Sequence, residues 1–336
     1  MQATIVSGAQ GAVGPAHPIP AVRVRSALEL RSALQRARRQ RLAVDVSELD
    51  RVLRLDCAGG LVEVQARTTW RTLAAQAQQA GCDASPFAST EGLAPTIGES
   101  VVSNAPGPDG RPVATHVEAA TFVTADGELR RAARHGNREL LQLILGGHGV
   151  FGMLYSVTLR LGSLAHSARH AERATVRDWQ APRPPGAARV AEALVPPQRL
   201  EQFLDSVRTQ AAERRVELAG VRMRRALAES ETFLCWATRE FAWVTLQLRS
   251  RPTLSGDVQA SEAHRWIIAE ALRLGGSFPI AAGFDASLDQ VLACYPQLAA
   301  FLAAKRRYDP GELLQNGWYR HFKRLLGPPC TVRWAA

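Results

Sequence analysis

The sequence predicts an α+β fold in two regions, and three observations carry that reading. Helical and strand-like periodicities alternate from Ser26 to Leu161. A proline-rich stretch, RDWQAPRPPGAARV from Arg177 to Val190, then interrupts them. Beyond it, short apolar strands and long amphipathic helices alternate again, the pattern of an antiparallel sheet covered by helices. A chain of 336 residues is long enough for two domains. We expect a first domain over residues 1–165, a second over 166–295, and C-terminal helices in 296–336 that return to the first.

Each element has a local reason. Ser26 can cap a helix running to Gln40, with Ala27, Leu30 and Leu34 on one face. RLAVDVSELDRVLRLD and LVEVQA read as short strands, and TTWRTLAAQAQQAG as a helix closed by Gly81. EAATFVTADGELRRAA reads as a hairpin turning at Asp126-Gly127. Residues 137–145 have helical spacing, and Met153 to Leu161 alternates like a strand. In the second region we expect strands at Val190–Leu194, Val216–Met223 and FAWVTLQLRS. Helices are expected at PQRLEQFLDSVRTQAAERR, at Glu231–Thr238 and at 257–274, with two more towards the end.

The formal charge of +10 comes from 39 arginines and only two lysines, Lys305 and Lys323. The arginines are scattered over helix faces with no nucleic-acid-binding motif beside them, which argues against specific nucleic-acid recognition. Five cysteines, Cys57, Cys82, Cys235, Cys294 and Cys330, share no CxxC spacing. They read as reduced packing residues of a cytoplasmic chain, neither a disulfide frame nor a zinc site. No apolar run reaches membrane-spanning length, so no membrane association is expected. His166 and His170 stand four apart without a third ligand, and no metal site is expected.

Gly146, Gly147, Gly149 and Gly152 fall within seven residues of LILGGHGVFGMLYSVTLRL. A tight helix-to-strand turn explains one or two of them, and close approach of a flat or anionic ligand would explain all four. PTIGESVVSNAPG precedes VEAATFVTADGELRR and this glycine turn, and YDPGELLQNGWYR closes the chain. In that order, these segments resemble the FAD-linked oxidases of the vanillyl-alcohol-oxidase and p-cresol-methylhydroxylase (PCMH) superfamily. The closest branches are the sugar-lactone, alditol and cytokinin oxidases, and the resemblance runs from about residue 20 to 325. It implies a PCMH-type FAD-binding domain followed by an antiparallel-sheet substrate domain. It also implies FAD as cofactor, lined by Thr96, Gly98, Ser100, Asn104, Gly107, Gly146, Gly147, Gly149, Gly152 and Met153.

The chain departs from the family twice. Relatives carry a glycine-rich loop around the FAD diphosphate after the first helix. Here RARRQ runs directly into RLAVDVSELDRVL, and no covalent flavin-attaching histidine is present. A diphosphate needs several convergent donors, which scattered arginines do not supply. Acidic Glu99 and Asp109 near the supposed cofactor would repel its phosphates. Secondly, relatives place proton-handling side chains where this chain has Pro279, Ala281, Ala282 and Gly283.

Weak or absent FAD binding is therefore expected, leaving a cavity for a small, largely apolar organic substrate. We expect Pro279, Ala281, Ala282, Gly283, Trp318 and Arg320 in its wall, with His148 and Tyr319 as catalytic polar groups. Trp236, Trp243 and Trp266 read as core. Three functions stay open: a flavin-independent cyclase or isomerase, a working FAD-dependent oxidoreductase acting on an alcohol or C–N bond, and a non-catalytic binding or partner subunit.

Overall fold

The computed structural model describes residues 21–40, 42–82, 95–107, 110–164, 177–180, 188–250 and 252–327. The calls on Asp109, His166, His170 and Cys330 lie outside them.

The first half is organised around a five-stranded antiparallel sheet of order β3-β4-β7-β5-β6, from β3 (Val52–Asp56), β4 (Leu61–Gln65), β5 (Val117–Val123), β6 (Leu129–Ala133) and β7 (Met153–Arg160). Asp126-Gly127 makes the β5–β6 turn as expected, with Gly127 at φ 84°. A small parallel pair, β1 (Ala21–Arg23) and β2 (Ala43–Asp45), flanks α1 (Ala27–Ala37). Ser26 accepts from the Glu29 N–H and starts α1, whose Leu30, Ala33 and Leu34 pack with Met153 and Val123. The helix ends at Ala37, short of Gln40, and β2 begins at Ala43. α2 (Trp70–Gln79) is capped by Thr69 and buries Trp70, Leu73 and Ala77. α3 (Ile97–Val102), which periodicity did not reveal, is started by Thr96. α4 (Arg138–Ile144) leads into the glycine turn.

The second half holds an antiparallel sheet of order β8-β10-β11-β9. Its strands are β8 (Arg177–Gln180), β9 (Ala188–Val195), β10 (Glu217–Ala226) and β11 (Phe241–Arg249). β8 falls in the proline-rich stretch read as a boundary, and it forms an edge of this sheet, where a missing donor is tolerated. Alternation gives the sheet two unlike faces. Ala191, Ala193, Val195, Val244, Leu246 and Leu248 lie in one cluster with residues of α5 (Leu200–Glu213) and α6 (Leu254–Arg273). Leu194, Ala226 and Trp243 of the other face join the core of the first half. Behind them run α7 (Leu288–Cys294), α8 (Leu298–Tyr308) and α9 (Gly317–Leu326).

Two expectations fail. The helix at Glu231–Thr238 is instead an irregular loop. The buried Glu229 carboxylate accepts from the Glu231 N–H at 2.7 Å, the Thr232 N–H at 3.1 Å and the Thr232 hydroxyl at 2.6 Å. These bonds tie residues 229–232 together through a side chain, and the segment that follows stays irregular. Cys57 and Cys82 are also not reduced packing residues. The β3–β4 turn and the end of α2 bring their Cα atoms to 5.6 Å, and they form a disulfide. Their separation of 25 residues is set by the fold and carries no sequence motif. The cysteine argument for a cytoplasmic chain therefore falls. Among the described residues no helix is long and apolar enough to cross a membrane.

Candidate functional site

The glycine turn sits on the end of α3. The carbonyl groups in the last turn of a helix have no partner within it. Here Gly146 N–H donates to the Val101 carbonyl at 3.0 Å and His148 N–H to the Val102 carbonyl at 2.9 Å. Gly147 N–H donates to the Ile144 carbonyl and Val150 N–H to that of Gly147, both at 3.1 Å. These four donors are thus used by main chain.

The same holds for the absent side chains. A Cβ on Gly147 would lie 1.9 Å from the Leu143 carbonyl oxygen, and one on Gly152 2.5 Å from the Phe122 ring. Gly146 and Gly149 have φ of 66° and 72°, the left-handed region that glycine adopts without strain. An added Cβ at Gly146 would also meet Asn104 and Thr232. The four glycines are accounted for by the turn's own geometry and by protein neighbours.

The other residues assigned to the cofactor have structural partners as well. Thr96 caps α3, and Ser100 accepts from the Trp70 indole at 3.1 Å. A Cβ at Gly98 would lie 2.5 Å from the Ala66 carbonyl, so close packing on β4's exit requires glycine there. Gly107 donates to the Arg111 carbonyl. Met153 is buried against the α1 cluster. Glu99 is ion-paired with Arg67. Asn104, at φ 52°, donates to Glu229 and Thr232, and its carbonyl accepts from the Trp236 indole at 3.1 Å.

His148 takes a left-handed φ of 51°, and its ring stacks on Trp318 with centroids 4.3 Å apart. Its carbonyl accepts from Asn316 Nδ2 at 2.6 Å, joining the turn to the start of α9. Burial pushes the imidazole pKa down to about 4, so the ring is neutral at physiological pH.

Between this turn and the inner face of the second sheet lies a cavity of about 220 Å³. Ser103 to Pro106 follow α3 into its wall, and Gly146 and His148 come from the turn. Glu192, Arg224 and Trp243 come from β9, β10 and β11, and Leu234 and Trp236 from the loop held by Glu229. Pro279, Ile280 and Ala281 complete the wall. Trp236 and Trp243, read from sequence as core, meet edge to face at 5.0 Å in this wall. The Arg224 guanidinium lies 4.9 Å from the centroid of Trp243. Burial lowers its pKa and nearby Glu192 opposes that shift. Glu192 accepts from the Trp243 indole at 2.9 Å and from the Thr245 hydroxyl at 3.4 Å.

The cavity brings together His148, Asn104, Gly146, Pro279 and Ala281 of the expected set and leaves out others. Trp318 lies behind His148. Arg320 is exposed on α9, and neither it nor Ala282 is in the wall. Gly283 packs against Phe278 and Phe322. Tyr319 is not in this wall; it donates its hydroxyl to Glu312, and burial with that carboxylate raises its pKa, so it holds its proton. The wall is also less apolar than expected, because Glu192 and Arg224 face it. Sequence reasoning missed both. Glu192 had a signal, a charged residue at an inward position of the mostly apolar ARVAEALV, whereas Arg224 stands among other arginines in ELAGVRMRRA and had none.

Residues 19–133 match the FAD binding domain family. Among solved structures the chain is similar to a variant of Physcomitrella patens BBE-like 1, with 11% identity and a TM-score of 0.61. That alignment covers 88% of this chain and 89% of the other. It is also similar to an alkyldihydroxyacetonephosphate synthase, with 11% identity and a TM-score of 0.59, over 88% of this chain and 76% of that one. No curated protein matches the sequence. The chain shares its fold with these two solved structures, and its residues 19–133 match the FAD binding domain family, in keeping with the resemblance read from the motifs.

Proposed function

We propose that this chain, built on the FAD-linked oxidase fold, does not hold FAD in the family's way. On this reading the cavity between the glycine turn and the second sheet binds a small organic molecule and promotes a non-redox reaction, a cyclisation or isomerisation. One observation carries the reading. Asn104 and Thr232 stand against Gly146, Trp236 bonds to the Asn104 carbonyl and His148 stacks on Trp318, so the cavity beside Gly146 and His148 measures only about 220 Å³. Pockets for drug-sized ligands measure about 300–1,000 Å³, and FAD, with two ring systems and a diphosphate, is larger than such ligands. The N–H groups of Gly146, Gly147, His148 and Val150 are already bonded, and only residues 38–42 link α1 to β2 where the family inserts its diphosphate loop. The residues present do not fit FAD.

The cavity's own groups suit catalysis by confinement. Rigid aromatic walls hold a ligand in one shape, which lowers the entropic part of a barrier to ring closure or rearrangement. Neutral His148 can accept or donate a hydrogen bond at the turn. Arg224 and Glu192 supply opposite charges from the sheet.

The match of residues 19–133 favours a second reading, a flavin oxidoreductase, and the same experiment decides between them. The purified protein is expected to lack oxidised-flavin absorbance and to show no melting shift with added FAD. A ligand binding only the folded state at a hundred times its Kd stabilises by about 2.7 kcal/mol. Stoichiometric yellow cofactor would overturn the proposal. Ala281→Trp should fold, fill the cavity and abolish binding of small organic ligands there; retained binding would place the site elsewhere.

A further inference from the structure

We propose that Arg224 makes this cavity selective for a small organic monocarboxylate; the inference rests on the cavity being the ligand site. Arg224 stands on the inner face of the second sheet, in register with Trp243 on β11. Its guanidinium lies 4.9 Å from the centroid of that indole, and its Nε is buried without a partner. Among the described residues Arg224 makes no ion pair and no hydrogen bond. Two other arginines show the contrast. Arg225, next in sequence, holds Glu240 by two bonds of 2.6 and 2.8 Å. Arg134, largely buried, bonds to Glu231 and to three carbonyls.

A largely buried cation without a hydrogen-bonded partner is costly, because the Trp243 ring and the nearby Glu192 charge do not replace the hydrogen bonds it made to water. A carboxylate returns two oxygens in the geometry of the fork, with charge-assisted bonds roughly twice as strong as neutral ones. Glu192 does not fill that role, since it accepts from Trp243 and Thr245. Its negative charge in the same wall instead limits the ligand, because a second negative group there would meet repulsion. That disfavours dicarboxylates and phosphates. Size sets the other bound. At about 30 Å³ for each water-sized group, the 220 Å³ of the cavity holds a compact molecule. Its body would lie against Trp236, Leu234, Pro279 and Ile280.

The test titrates the full-length protein with benzoate and with benzamide, its neutral counterpart of the same shape, by calorimetry and by quenching of tryptophan emission. Benzoate is expected to bind at least about tenfold more tightly than benzamide. Arg224→Gln should erase that preference while leaving benzamide binding in place. Glu192→Gln should tighten benzoate binding, and it provides an independent readout if Arg224→Gln folds poorly. Equal binding of the two probes, or a preference that survives Arg224→Gln, overturns the carboxylate inference and leaves the cavity reading intact. Weaker benzoate binding in Glu192→Gln also overturns it. Failure of both probes to bind the unmodified protein overturns the inference and the cavity reading together.

Discussion

The imidazole of His148 lies almost parallel to the indole of Trp318, with 19° between their planes and 4.3 Å between their centroids. The residue that opens the glycine turn to the cavity is therefore clamped from behind by the C-terminal helix. Protonating His148 would place a charge in that buried stack. In the folded state its pKa is about 4, against 6.5 for an ordinary histidine. Between those values the unfolded chain binds a proton that the folded one does not, so stability falls as pH drops through that window. Integrated over it, the loss is about 3 kcal/mol. His148→Asn keeps a residue that tolerates the left-handed backbone and should remove this component. Denaturant melts at about pH 7 and about pH 4.5 should show a smaller acid-induced loss in the variant than in the parent. Equal losses would show that His148 titrates normally.

The glycine turn gives a contrast between neighbours. Gly147→Ala drives a Cβ into the Leu143 carbonyl and should cost at least about 3 kcal/mol. Gly149→Ala meets open space and should cost only the left-handed backbone penalty, about 1–2 kcal/mol. Chemical denaturation of both variants measures the difference. Similar costs would mean that the turn is not packed as described.

Lys305 is fully buried on α8 and bonds to Asp309, whose carboxylate also accepts from the Leu313 and Leu314 N–H groups at 3.0 and 2.9 Å. Burial lowers the lysine pKa, and the aspartate opposes that shift. Lys305→Met leaves a buried carboxylate without its cation and should destabilise by about 3–5 kcal/mol. Lys305→Met combined with Asp309→Asn should be less damaging than the sum of the two single changes. Strict additivity in a double-mutant cycle would show that the pair does not interact.

The Cys57–Cys82 bond closes a loop of 25 residues around β4 and α2. A loop of that length corresponds to about 3 kcal/mol of stabilisation. Cys82→Ser should lose that amount, and reductant should lower the melting point of the parent but not of the variant. A parent insensitive to reductant would show that the bond contributes nothing.

Much of the fold was legible in sequence because its signals are local. Ser26, the Asp126-Gly127 turn and the alternation of Met153 to Leu161 each act within a few residues. What escaped depends on partners far along the chain. α3 has only six residues, too short for periodicity to register. Glu229 ties residues 229–232 together through its own carboxylate, and Cys57 finds Cys82 only after β4 and α2 have folded. In the site, residue types drew attention to the glycines and His148. That Glu192 and Arg224 stand on one sheet face could be read only from the register of three strands.

The buried lysine on α8 has a practical chemical consequence. The chain has two lysines, of which Lys305 is inaccessible and Lys323 leaves 43% of its side chain to solvent. Amine-directed reagents and isopeptide-forming couplings therefore meet a single lysine on the folded surface, beside Glu312 on α9. Labels, tethers or cross-linkers attached to that lysine sit at one defined position on α9. A second modified lysine in a peptide map would mark molecules in which α8 and α9 have come apart.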